Sequence, residues 1–212
     1  LDSLLDVSRL DVAGIRTESA PFAVQSVFQR LADSYRRPAQ AKKLTLRFRP
    51  TDRHVFSDIT LVERLLANLI SNAIRYTPEG GRVLVAARRR GDQLRIEVRD
   101  SGIGIAPEHQ AAIFAEFYQV GNTAREQSKG LGLGLSIVDR LAHALNQPIS
   151  LCSQPGAGTT FSVTLPLCPP PTPMETQSLR PGQRPELLAV GSDEALSAAL
   201  RKENETVSAQ AA

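Results

Sequence analysis

Apolar residues in the opening LDSLLDVSRLDVAG fall at Leu1, Leu4, Leu5 and Val12, close to helical spacing, and Gly14 supplies a stop. This stretch reads as the tail of a helix that began upstream. Residues 21–42 carry a second helical stripe through Phe22, Val24, Val27, Phe28, Leu31 and Tyr35, and LTLRF (44–48) then alternates as a strand does. After an extended piece at 54–56, Asp58 stands where a helix cap belongs, ahead of Leu61, Leu65, Leu66, Leu69, Ile70, Ala73 and Ile74. TPEGG (77–81) ends that helix. RVLVAARR (82–89) and QLRIEVRD (93–100) predict two strands joined as a hairpin across Gly91-Asp92. Periodicity is then lost over residues 101–129, around Phe114, Phe117 and Tyr118, and a connection that long predicts a lid or binding loop. GLGLGL (130–135) opens a further helix running on through LSIVDRLAHAL, while PISLCS and TTFSVTLP predict two closing strands.

This order of elements predicts an α/β two-layer sandwich with a mixed, mainly antiparallel sheet. Helices near 22–42, 58–75 and 133–145 should cover one face. The globular part should end near residue 167, because Pro169, Pro170, Pro171 and Pro173 mark a stiff linker. Beyond it, ELLAVG and DEALSAALRKE suggest one strand and one short helix, too little to bury themselves, so residues 168–212 read as linker and polar tail or the remnant of another domain.

Composition adds limits. With 42% apolar and 22% charged residues the chain is of globular type, and it has no apolar run long enough to span a membrane. The net charge of +3 is small and the longest basic run, Arg88-Arg89-Arg90, reads as a solvated strand end, so neither nucleic-acid nor membrane contact is expected. Cys152 and Cys168 are too few and too far apart for a zinc site or disulfide framework, which favours a reducing, cytoplasmic setting.

Three stretches carry chemistry. Asn68 and Asn72 lie four residues apart on an otherwise apolar helix, with Arg75 and Tyr76 a turn later, so one patch offers an amide oxygen for a hard cation, a positive charge and a hydroxyl. Asp100 ends a strand just before Gly102 and Gly104, placing a carboxylate where backbone approaches a flat ligand; a buried acceptor there favours adenine, with its exocyclic amine, over guanine. Gly130, Gly132 and Gly134 alternate with leucines ahead of a helix, exposing N–H groups and a positive dipole end to an anion. The loop is neither GxxxxGK[ST] nor GxGxxG after a strand. Thr159, after Gly158, can reach the same space from the last strand. Each feature alone also fits a structural role: fastening a helix end, making a turn, packing helix on sheet. Together and in order they serve cation, base and phosphates of one ligand.

NLISNAIRYT (68–77), DSGIGI (100–105), IFAEFYQ (113–119) and GLGLGLSIV (130–138) resemble the N, G1, F and G2 boxes of sensor histidine kinases, and GAGTTF resembles their closing strand. The resemblance covers about residues 15–167. It implies a Bergerat-type ATP-binding fold with a long ATP lid, in the superfamily that includes gyrase and the heat-shock chaperones. Residues 1–14 resemble the end of the family's dimerisation and phosphoacceptor helix. EFYQVGNTAREQSKGLGLGL is similar to hybrid kinases that carry a receiver domain, although ELLAVGSDEAL lacks the paired acidic residues of a receiver's opening.

By resemblance, Asn72 would coordinate Mg²⁺, Asn68 would organise the phosphate or its water, and Arg75 and Tyr76 would contact phosphates and ribose. Asp100 would bind the adenine amine. Gly102, Gly104, Ile105, Gly130, Leu131, Gly132, Leu133 and Gly134 would shape the pocket, and Thr159 would support adenine through water. Residues 107–129 would form the lid, hinged at Phe114 and Phe117, with Arg125 and Lys129 as γ-phosphate contacts. Superfamily hydrolases place a glutamate base where this chain has Asn68, and an amide cannot take a proton from water, which favours a kinase over a hydrolase. None of His54, His109 or His143 resembles an acceptor box. The reaction implied is phosphoryl transfer from ATP to a histidine outside this chain, on a companion helical domain, with a response regulator or fused receiver downstream. The complete protein would be a homodimer, with anchoring in the inner membrane left open. The alternatives are a related serine kinase that regulates a transcription partner, and a degenerate nucleotide-binding interaction module.

Overall fold

The computed structural model describes residues 17–120 and 132–170. The chain divides into two compact units, Leu1–Thr172 and Pro173–Ala212, and every described residue belongs to the first. Its elements are β1 (Ala20–Ala23), α1 (Val24–Ala41), β2 (Thr45–Phe48), β3 (His54–Ser57), α2 (Ile59–Tyr76), β4 (Arg82–Arg90), β5 (Gln93–Asp100), α3 (Pro107–Gln110), a 3₁₀ turn (Ala112–Phe114), α4 (Gly134–Ala144), β6 (Ser150–Gln154) and β7 (Gly158–Cys168).

Seven strands form one sheet in the order β1-β3-β7-β5-β4-β2, with β6 also paired to β7. Only the β2–β4 pair is parallel; the others are antiparallel, and the alternating hydrophobic patterns fit a sheet with one covered face. Along β5, Leu94, Ile96, Val98 and Asp100 are buried on one face and alternate with Gln93, Arg95, Glu97 and Arg99 on the other. Registers with β4 and β7 extend the apolar face to Val83, Val85, Phe161, Val163 and Leu165. α2 lies on it, burying Leu61, Val62, Leu65, Leu66, Leu69, Ile70, Ala73 and Ile74, each large side chain contributing about 1.5–3 kcal/mol. The opposite face is polar and no helix of the described residues covers it; Cys152, paired with Thr160, is exposed there.

Local chemistry sets the boundaries. Asp58 Oδ1 accepts from the amides of Thr60 and Leu61 at 2.9 and 3.0 Å and caps α2, while its Oδ2 accepts from Glu18 N at 2.8 Å and ties down the chain before β1. Gly91, at φ 63°, supplies the left-handed turn of the β4–β5 hairpin. The stretch expected as one helix over 21–42 is instead strand β1 followed by α1. Phe22 stands opposite Val55 of β3, so this residue is buried by pairing with a strand distant in sequence, and Pro21 is tolerated because β1 is an edge strand. No helix among the described residues is long and apolar enough to cross a membrane.

Candidate functional site

The C-terminal half of α2 forms one wall of the site. Its amphipathic period leaves Asn68 and Asn72 half-buried beside the fully packed Leu69, Ile70 and Ala73. Asn68 Nδ2 donates to the carbonyl of Arg64 at 2.9 Å, which fixes the amide. A Cβ at Gly134 would stand 3.3 and 3.4 Å from the Asn72 amide atoms and 3.7 Å from Asn68 Oδ1. The first residue of α4 therefore abuts both asparagines. Leu133, 2% exposed, anchors that turn in the core, and its carbonyl accepts from Ile137 N. At Gly132, φ is 72° and a side chain would run into the Phe117 backbone at 3.0 Å.

α2 ends under a clamp from α1. Lys42 Nζ donates to the carbonyls of Ile74 and Arg75, at 2.8 and 2.5 Å, where the negative end of the helix dipole favours a cation. The Arg75 side chain is exposed and Tyr76 is 42% exposed. The Tyr76 carbonyl accepts from Ile103 N at 3.3 Å, and a Cβ at Gly102 would lie 2.7 Å from that oxygen and from Asp100 Oδ1. Glycine is thus obligatory where the turn after β5 meets the end of α2.

Asp100 ends β5 on the buried face. Its Oδ1 accepts from Gly102 N at 2.8 Å and Thr159 N at 3.2 Å, which leaves Oδ2 for another donor. Burial pushes its carboxyl above the usual carboxylate value, and the two backbone amides hold it back down. Gly158, at φ 86°, lets β7 approach so closely that a Cβ would sit 2.1 Å from the Asp100 carbonyl.

A residue the sequence reading passed over completes this end. Ser153 Oγ lies 2.9 Å from Thr159 Oγ1, donates to the Gly158 carbonyl at 3.0 Å and accepts from Ile105 N at 2.8 Å. A serine has one proton, so donation to Gly158 obliges Thr159 to donate to Ser153; the lone pairs of Thr159 are then turned outward as acceptors. Gln110 Nε2 clamps the carbonyls of Ile105 and Ser153 at 3.0 and 3.1 Å. Gly104 also belongs here, at φ 71° with a Cβ position 1.9 Å from the Gln154 carbonyl. No sequence signal marked Ser153: a lone serine in SLCSQ acquires this role only through the β6–β7 register.

The aromatic island splits. Phe114 packs edge-on against Phe161 with centroids 6.4 Å apart, whereas Phe117 is 62% exposed at φ 61°. Tyr118 Oη lies 2.8 Å from His109 Nδ1, and Glu116 pairs with Arg140 of α4. Arg125, Lys129, Gly130 and Leu131, with the lid segment that holds them, lie outside the described residues. Among the described site residues, Asn68, Asn72, Tyr76, Asp100, Gly102, Gly104, Ile105, Gly132, Leu133, Gly134 and Thr159 are joined in one wall by these close approaches; Arg75 borders it at the surface.

The family model for histidine kinase-, DNA gyrase B- and HSP90-like ATPases matches residues 57–169. The chain belongs to that ATPase family. Sensor-like histidine kinase SenX3 of Mycolicibacterium smegmatis is 35% identical over 172 residues, covering 81% of this chain and 45% of SenX3. Sensor histidine kinase RcsC of Escherichia coli is 32% identical over 170 residues, covering 79% and 18%. The chain thus spans less than half the length of these curated relatives. Among solved structures, full-length ShkA in complex with AMPPNP superposes with a TM-score of 0.68 at 28% identity, over 79% of this chain and 35% of ShkA. The mycobacterial sensor histidine kinase MprB gives 0.61 at 25% identity, over 72% and 99%. Within the ATPase family the matched stretch is an ATP-binding catalytic domain of the histidine kinase type.

Proposed function

We propose that this chain binds Mg²⁺-ATP along the wall from Asn68 to Thr159 and transfers the γ-phosphoryl group to a histidine of a companion helical domain. The bond between the γ-phosphorus and its bridging oxygen breaks, a phosphorus–nitrogen bond forms, and ADP leaves. The observation that carries this reading is the convergence of three separated stretches: Gly134 against Asn72 and Asn68, and Gly102 between Tyr76 and Asp100.

Asp100 Oδ2, with Oδ1 already committed to two amides, suits the adenine amine, and Thr159 stands beside it as an acceptor. Asn68 would order the phosphates or a water, with Arg75 and Tyr76 at their edge. Arg125 and Lys129 would reach the γ-phosphate from the lid, and Gly130 and Leu131 would continue the phosphate loop. The donor set fits a magnesium ion that arrives with its nucleotide. No cluster of three His, Cys, Asp or Glu side chains among the described residues could hold a metal alone, while the neutral Asn72 oxygen adds one ligand without cancelling the attraction to phosphate. Magnesium would supply charge neutralisation; positioning by the protein supplies the rest, since this transfer needs no glutamate base.

In the same reading residues 1–14 close the dimerisation helix, residues 15–167 are the catalytic domain, and residues 168–212 are linker and tail. The complete protein would be a cytoplasmic-facing homodimer that hands its phosphoryl group to a response regulator or fused receiver. Calorimetric titration with Mg²⁺-ATP tests the binding step, with one saturable site expected. Incubation with γ-labelled ATP and the helical domain of the same protein should then yield an acid-labile label on histidine. Absence of saturable heat overturns the nucleotide reading, and an acid-stable label on serine overturns the choice of acceptor.

A further inference from the structure

β2 closes the sheet beyond β4. The amides of Thr45 and Arg49 turn inward to the carbonyls of Gly81 and Val85, both at 2.9 Å, so alternation turns the peptide groups of Leu46 and Phe48 outward. Along that outer edge runs a cavity of about 450 Å³, walled on the far side by Ala32, Arg36, Ala39 and Gln40 of α1. A second cavity, of about 660 Å³, opens over the polar face of the same strand and is lined by Arg47, Arg49, Arg82 and Arg99. Asp100 also borders it, but the alternation of β5 commits that carboxylate to the opposite face.

The charge on this face is unbalanced. Glu97 is shared among Arg95, Arg88 and Arg99, at 3.3, 3.9 and 4.0 Å. Among the described residues none of Arg47, Arg49 and Arg82 has an ion-pair partner. Arg88 stands directly opposite Arg95 in register and Glu97 offsets that pair, so the uncompensated charge lies at Arg47, Arg49 and Arg82.

We propose that the β2 edge is a docking site for an extended acidic segment of a partner polypeptide. Its main chain pairs with Leu46 and Phe48, and its carboxylates, at alternate positions, meet Arg47, Arg49 and Arg82. Three observations select this occupant. An open strand edge offers donors and acceptors in alternation, which a peptide backbone matches and a phosphate chain does not. Arg47 and Arg49 project two residues apart, roughly 6.8 Å, the repeat of side chains on one face of an extended chain. The other face of the added strand would look onto Leu46, Phe48 and Ala32, with the exposed Arg36 and Gln40 at its margin, so its intervening residues are small and apolar. Arginine forks bind carboxylates through paired hydrogen bonds, and charge on an edge strand deters indiscriminate pairing while admitting the opposite charge.

A fluorescein-labelled decapeptide of alternating glutamate and valine tests this by anisotropy with the complete chain. Saturable binding is expected, weakening as salt is raised, together with slower amide exchange at Leu46 and Phe48. Arg47→Glu with Arg82→Glu should weaken it by about tenfold or more, equivalent to about 1.4 kcal/mol. Arg47→Gln with Arg82→Gln should give a smaller loss, and circular dichroism of both variants should match the parent. The proposal is overturned if no saturable binding is seen, or if the peptide binds without slowing exchange at Leu46 and Phe48. It is equally overturned if correctly folded double variants bind as the parent does, or if a single-stranded oligonucleotide or inorganic triphosphate competes as well as the unlabelled peptide.

Discussion

At the proposed base end of the pocket, Asp100, Ser153 and Thr159 are locked to one another and to neighbouring backbone by hydrogen bonds of 2.8–3.2 Å, from three different stretches of chain. At the proposed phosphate end, Asn68 is tied among the described residues only to its own helix, and Asn72 meets the glycine loop through close approach at Gly134. In the proposed function the first end would work by pre-set hydrogen-bonding direction, so a change there should alter which ligand is chosen. The second would work by leaving room next to two amides, so a change there should alter how charge and metal are accommodated.

The widest separation of the two ends should come from Asn72→Asp. A new carboxylate facing the phosphates should weaken metal-free ATP by about 1–4 kcal/mol, with less loss when Mg²⁺ is present and none for adenosine. Equal losses for all three ligands in calorimetry would place the cation elsewhere. Asp100→Asn should do the reverse, costing about 1–3 kcal/mol for ATP and adenosine alike because an amide donor then opposes the adenine amine. The same variant has a stability signature. Because burial raises the folded pKa of Asp100, the parent binds its proton more tightly folded than unfolded, and its stability should fall as pH rises from the ordinary carboxylate value of 3.8 through the raised one. Thermal melts of Asp100→Asn should lack that slope.

Smaller effects sharpen the contrast. Ser153→Ala frees the Thr159 hydroxyl to rotate and leaves Ile105 N without its acceptor, which should cost about 0.5–1.5 kcal/mol of stability and reduce the preference for ATP over GTP. Ser153→Thr should restore both. Gly134→Ala, at the first position of α4, should change stability by no more than about 1 kcal/mol while weakening Mg²⁺-ATP, since the new methyl presses on Asn72. A larger loss of stability would mean that the loop, not the amide, had been disturbed.

Much of the fold was legible because its signals are local. The Asp58 cap, seven of the eight buried apolar positions of α2 and the Gly91-Asp92 hairpin follow from spacing alone, Val62 being added by the structure. β1 was not, because Phe22 fits a helical stripe as well as it fits a strand and the decision is made by Val55, thirty-three positions away. The site divides in the same way. Motif order identified the stretches that approach one another, yet which atoms touch depends on strand register, so Ser153 and Gln110 left no mark in the sequence. Phe114 and Phe117, alike in the pattern, face the core and the solvent respectively.

Cys152 offers a practical handle. The chain has two cysteines, and this one is exposed on β6, on the side of the sheet turned away from Asp100 and the asparagines. With Cys168 replaced by serine, a maleimide dye could be installed at one known point without entering the proposed nucleotide cleft, giving an optical reporter for whatever approaches the uncovered surface.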